Sequence, residues 1–131
     1  MNLAFNRNEL IDLGATSEQF SGFLSFGGPL DLNKLPDVKQ LRDFAGGPSG
    51  SDAFVAANPI SWLTDSEPLP ILLLHGTKDA IVPFSSSESF YEKYSGQKEL
   101  YPILNGSHLD SLGFALNDHT AAVVDHWLHE L

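Results

Sequence analysis

The chain of 131 residues contains no cysteine, which excludes disulfides, thiolate metal sites and a cysteine nucleophile. It is also poor in positive charge: 7 Lys and Arg stand against 17 Asp and Glu, a formal charge of −10 at neutral pH. Such a surface repels phosphate backbones and anionic headgroups, so nucleic acid and membrane surfaces are not expected partners. The acids then serve to keep the surface hydrated. Long hydrophobic runs are missing too. Stretches such as Ile71–Leu74 fall far short of the ~20 apolar residues that cross a bilayer. The opening "MNLAFNRNEL" shows no basic segment leading into an apolar one, so no signal peptide is visible and the compartment stays open. No glycine-rich phosphate loop opens a helix, which ranks a Rossmann-like or flavodoxin-like domain last.

What is present is an ordinary globular composition, 42% hydrophobic, in a length that suits one domain over residues 1–131. Three short apolar runs read as strands: 20–26 ("FSGFLSF"), 71–75 ("ILLLH") and 98–104 ("KELYPIL"). The second does not alternate, which suits a parallel strand covered on both faces. Pro102 marks the third as an edge strand or a bulged one. Helical spacing is expected near residues 1–13, with Leu3, Ala4, Leu10, Ile11 and Leu13 on one side and Gly14 at the stop. Between the first two strands, "VKQLRDFAGG" and "SGSDAFVAANP" each offer a short helix, the second with Ser51 as N-cap. Residues 33–67, which hold both, are the least regular part and read as a cap-like or connecting insertion. Ser85 with Glu88 makes a capping-box pattern ahead of Phe90 and Tyr94, and Gly96 closes that helix. The C-terminal "NDHTAAVVDHWLHEL" is a further helix, with Val123 or Val124, Trp127, Leu128 and Leu131 facing the core. Alternation of this kind gives an α/β fold with about three parallel strands, right-handed crossovers and flanking helices.

In an open parallel sheet, chemistry gathers beyond the carboxyl ends of the strands. The three loops there carry Asp31 ("GGPLDL"), Asp79 ("HGTKDAIVP") and His108 ("NGSHLDSLG"). An Asp and then a His on successive strand-end loops is the order a Ser–Asp–His relay uses. The imidazole takes the nucleophile's proton, while the carboxylate fixes its tautomer and steadies the imidazolium.

At these residues the chain resembles the C-terminal half of an α/β-hydrolase of the esterase/lipase type. The similarity lies near the dienelactone hydrolase, feruloyl or acetyl esterase and prolyl-oligopeptidase-like branches. "HGTKDAIVP" matches that family's H-G-x-x-D-x-x-V-P pattern after its seventh strand, and the resemblance implies Asp79 as the catalytic acid. "NGSHLD" matches the G-x-H segment after the eighth strand, implying His108 as the catalytic base. "LSFGGPLDL" and "AANPISWL" resemble the sixth strand with its loop and the approach to strand seven, so the likeness runs over essentially the whole chain. It implies a partial α/β-hydrolase fold, no cofactor, and a small ester as the substrate of the parent enzyme.

The departure from the pattern carries as much information. There is no G-x-S-x-G nucleophile elbow and no His-Gly-Gly oxyanion segment. Ser49 in "GGPSGS" has the wrong neighbours and follows no strand. We expect Met1 to fall a few residues past the missing serine, leaving strands one to five, the nucleophile and the oxyanion donors outside this chain. Two functions compete. One is a serine carboxylic-ester hydrolase in which this chain supplies Asp79 and His108 but no nucleophile, and is inactive alone. The other is a non-catalytic binding or assembly module, whose open edge at 20–26 invites a homodimer or a complementing N-terminal half.

Each residue also has a plainer role. Asp79 can cap the turn before the next helix or pair with Lys78, and His108 can be a simple loop histidine. His75 reads as a structural hydrogen-bonding residue at the strand end. Asp110 is a fallback acid, and Asp31 a turn residue after Gly27-Gly28-Pro29. His119, His126 and His129 lie on the last helix, where a solvated face is expected over a metal site. Phe90, Tyr91 and Tyr94 read as packing.

Overall fold

The computed structural model describes residues 11–112 and 118–131. The first expected helix lies almost wholly outside these; at its end Ile11 and Leu13 are exposed.

Strand β1 (Phe23–Phe26), β2 (Ile71–Gly76) and β3 (Lys98–Ile103) form one parallel sheet in the order β1-β2-β3. Phe23 stands opposite Ile71, and Leu74 lies between Phe26 and Tyr101. Pro102 is accommodated because β3 is an edge strand, where one side of the backbone makes no ladder bonds. β1 begins three residues later than its composition suggests. Gly22 ends the approach: a side chain there would run into the Trp127 ring, 2.6 Å from Cη2.

All six residues of β2 are buried. Successive side chains point to opposite faces of a sheet, so the aliphatic run divides between two cores. Ile71 and Leu73 pack with Leu30, Ile60, Phe90 and Tyr94 on one face. Leu72 and Leu74 pack with Val124 and Trp127 on the other. Each fully buried aliphatic contributes about 1.5–3 kcal/mol, so these four contribute about 6–12 kcal/mol before chain entropy is set against them. β2 is therefore covered on both faces along its whole length.

Helix α1 (Lys39–Ala45) ends at Gly46 in the left-handed conformation, φ 76°, and α2 (Asp52–Ala57) starts with Ser51 accepting from the Phe54 N–H, both as the sequence implies. Leu41, Ala45 and Phe54 from these helices close a third, smaller core with Leu32. Helix α3 (Ser85–Lys93) differs from the expected capping box. Ser85 is already helical, and the cap position is Phe84, which has no side-chain cap bond. The serines are used in tertiary contacts: Ser86 Oγ accepts from the Asp31 N–H, and Ser87 Oγ meets His75. A short α4 (His108–Leu112) follows β3, and α5 (Asp118–His129) closes the chain. On α5, Thr120, Val124 and Trp127 are buried, while Leu128 and Leu131 are exposed. Val124 and Trp127 thus face the core as expected, and the stripe continues back to Thr120 and not on to the two leucines. No described helix is long and apolar enough to cross a membrane.

A candidate catalytic Asp–His pair at the strand ends

The loops leaving β2 and β3 are laced together by backbone bonds. Thr77 N–H donates to Ile103 O (3.0 Å) and Lys78 N–H to Gly106 O (2.9 Å). Asn105 N–H donates to Thr77 Oγ1 (2.8 Å), and Gly76 N–H to the buried Ser111 Oγ on α4 (2.9 Å). Gly76 has no side chain because none fits; a Cβ there would lie 2.4 Å from Gly106 O.

This lacing brings Asp79 and His108 together. Asp79 Oδ1 accepts from the N–H groups of Ile81 (2.8 Å) and Val82 (2.9 Å), an Asx-type turn that fixes the carboxylate plane. Its other oxygen, Oδ2, lies 2.7 Å from His108 Nδ1. An ionised carboxylate only accepts, so Nδ1 carries the proton and Nε2, across the ring, is left as the base. The Asp79 side chain is fully buried, whereas 26% of the His108 side chain is exposed. Burial pushes the Asp79 carboxyl up, but the hydrogen bonds from His108, Val82 and Ile81, with the charge that His108 carries when protonated, outweigh it and hold the carboxyl below its ordinary range. The acid is thereby kept ionised.

Lys78 is exposed, and no ion pair joins it to Asp79 among the described residues. Asp110 does not reach the histidine. It accepts from Ser107 N–H and Ser107 Oγ, capping α4. Asp31 is buried in a turn: it accepts from Asn33 N–H (3.1 Å), Asn33 Nδ2 (2.9 Å) and Ser89 Oγ (2.7 Å), while its backbone N–H donates to Ser86. Burial raises the Asp31 carboxyl, and these bonds lower it further than burial raises it. His75 is fully buried behind Asp79, bonded to Ser87 and Val82. His126 and His129 are exposed beside Glu130 and Asp125, and no cluster of three metal-ligating side chains occurs among the described residues. Phe90 and Tyr94 stack in the core at 5.9 Å between ring centroids, with Tyr91 packed against them. Ser49 is exposed in the turn between α1 and α2.

Ser111 and Ser87 have no signal in the sequence; both act through contacts 12 or more residues away in the chain. Beside the Asp79 turn runs an apolar groove of about 450 Å³, lined by Leu35, Val38, Phe44, Ile81 and Val82 among others.

No family model matches the chain. YqkD of Bacillus subtilis (strain 168), described as uncharacterized, is 41% identical over 51 residues, which make up 39% of this chain and 16% of YqkD. YfhR of Escherichia coli (strain K12), likewise uncharacterized, is 33% identical over 51 residues, 39% of this chain and 18% of its own. Among solved structures, the truncated form of a carbohydrate esterase from gut microbiota matches 89% of this chain and 44% of its own, with TM-score 0.68 and 17% identity. Thermogutta terrifontis esterase 2 phosphoramylated by tabun matches 87% of this chain and 42% of its own, with TM-score 0.62 and 24% identity. The chain therefore has a partial α/β-hydrolase fold, shared with the part of these structures that it covers. It spans less than half the length of the esterases it superposes on, and its matches cover under a fifth of YqkD and YfhR.

Proposed function

We propose that this chain is the acid-and-base portion of a serine carboxylic-ester hydrolase, with Asp79 as the acid, His108 as the base and the nucleophile on sequence outside residues 1–131. The observation that carries the reading is the 2.7 Å contact from Asp79 Oδ2 to His108 Nδ1, with Oδ1 of the same carboxylate held by two backbone N–H groups. In this reading His108 Nε2 takes the serine hydroxyl proton as Oγ bonds to the ester carbonyl carbon. The tetrahedral adduct collapses, the alcohol leaves with that proton, and water repeats the sequence on the acyl-enzyme. Asp79 stays ionised throughout and supports the transient imidazolium. Residues 33–67 act as the connecting insertion that walls the site, and the groove between Val38, Phe44 and Ile81 takes the apolar part of the ester. Thermogutta terrifontis esterase 2 is known with butyrate and with propionate bound, which favours a short acyl group here.

The test is hydrolysis of p-nitrophenyl acetate. The chain alone is expected to be inactive. Joined to an upstream segment that carries a G-x-S-x-G elbow, it is expected to turn over, and Asp79→Ala or His108→Ala to lower kcat by about 10³–10⁴-fold. Robust hydrolysis by the chain alone, lost in Ser49→Ala, would overturn the assignment of the nucleophile.

A further inference from the structure

His75 stands immediately behind the acid. Its ring is fully buried, edge-on to Phe84 at 5.6 Å between centroids. Nε2 lies 2.9 Å from the carbonyl oxygen of Val82 and 3.2 Å from Asp79 Oδ2. A carbonyl accepts and cannot donate, so Nε2 carries a proton. In the tautomer whose one ring proton sits on Nε2, Nδ1 is the acceptor, and Ser87 Oγ, at 2.7 Å, donates to it. Ser87 is itself buried on α3.

These bonds join end to end. Ser87 fixes the tautomer of His75, and His75 holds the carbonyl of Val82. The N–H of the same Val82 holds Asp79 Oδ1, and Asp79 Oδ2 holds His108. The chain of bonds runs from helix α3 to the candidate base without a gap. The 3.2 Å approach of Nε2 to Oδ2 adds a second imidazole dipole on the oxygen that His108 uses. We propose that His75, locked by Ser87, is a positioning residue for the Asp79–His108 relay: it fixes the 79–82 turn, and through it the carboxylate that orients His108. A merely structural histidine would support the stability of the strand end and leave the His108 hydrogen bond unchanged.

The inference rests on Asp79–His108 as the relay, yet its test involves no nucleophile and no turnover. Failure of ester hydrolysis and failure of this test are therefore separate results. The chain, at 14.3 kDa, suits NMR. A long-range proton–nitrogen spectrum is expected to show His75 protonated on Nε2 and bare on Nδ1, and His108 protonated on Nδ1 with a far-downfield, protected signal. In His75→Phe, which keeps an apolar ring but has no N–H, the His108 Nδ1–H is expected to exchange about fivefold faster or more, the factor that goes with one lost hydrogen bond. His75→Gln, which again offers an N–H, is expected to restore protection. Unchanged His108 exchange in a folded His75→Phe overturns the proposal. Should His75→Phe not fold, Ser87→Ala is the second variant: it is expected to disturb the His75 tautomer and speed His108 exchange. His75 protonated on Nδ1 in the unmodified chain, or no response in Ser87→Ala, also overturns it.

Discussion

Gly76→Ala puts the smallest possible side chain where the loops carrying Asp79 and His108 cross. A Cβ at Gly76 would stand 2.4 Å from Gly106 O and 2.5 Å from Ser107 O, where ordinary contact begins at 3.4 Å. Both obstacles are backbone, so no side chain can swing away. Relief requires the 103–107 loop to retreat by about 1 Å, the difference between 3.4 and 2.4 Å. His108 follows that loop directly, and its 2.7 Å contact with Asp79 would stretch toward the limit of hydrogen bonding. Overpacking of this kind costs about 1–3 kcal/mol. Weakening a hydrogen bond to a charged group adds about 1.5–3 kcal/mol at most. Against this, removing a glycine from a strand favours folding by only about 0.5–1 kcal/mol. The clash wins, and the net loss is about 2–4 kcal/mol. With a urea slope near 2 kcal/mol per molar, the unfolding midpoint is expected to fall by about 1–2 M. The His108 Nδ1–H signal should weaken in parallel. An unchanged midpoint with an unchanged signal would refute the reasoning that this crossing holds the site.

Acid should destabilise the chain through Asp79 and Asp31, both held below the ordinary carboxylate range by hydrogen bonds that outweigh burial. A depressed folded-state value means the stabilisation is whole above the unfolded carboxyl pKa of about 3.9 and is lost as pH falls through the folded value. Urea midpoints measured from pH 6 to pH 3 should therefore decline, and decline less in Asp79→Asn; an identical pH dependence in that variant would contradict the assignment. Asp110→Ala removes the two bonds from Ser107 and should lower the melting temperature slightly while leaving the downfield His108 signal in place. Loss of that signal in a folded variant would mean that the Ser107–Asp110 bonds, and not the Asp79 contact alone, place His108. Leu73→Ala empties a fully buried position in the central strand and should cost about 2–5 kcal/mol in denaturant unfolding; a cost below about 1 kcal/mol would mean that β2 is not the centre of the core.

Local information explains what was legible in the sequence. The run Ile71–Leu74 calls for cover on both faces, which suits a central strand, and the alternation of strands with helices around it makes that strand parallel. The stops at Gly46 and before Pro59 are equally local. Expectations fail where a distant partner overrides a local pattern. Ser85 and Glu88 look like a capping box, but Ser86 and Ser87 are drawn to Asp31 and His75, and the helix starts without a side-chain cap. "FSGFLSF" reads as one strand until the Trp127 ring, more than 100 residues away in sequence, rests against Gly22. On α5 the two valines offer equivalent stripes, and only packing against Leu72 and Leu74 selects Val124.

The same division runs through the candidate site. Asp79 is legible because what fixes it is contiguous: the strand that ends at Gly76, the turn donors Ile81 and Val82, and Pro83 beyond them. His108 is less legible, because a Gly and a His two residues apart specify little, and what aims the ring is long-range. Lys78 N–H must find Gly106 O, and Gly76 N–H must find Ser111 Oγ, before Nδ1 faces the carboxylate. His75 is the extreme case. It belongs to the same motif as Asp79, yet its bonds to Ser87 and to the carbonyl of Val82 exist only once α3 has docked on the sheet. A motif therefore names the proposed acid sooner than the residues that would hold it in place, since the first is set by its own segment and the others by the assembled fold.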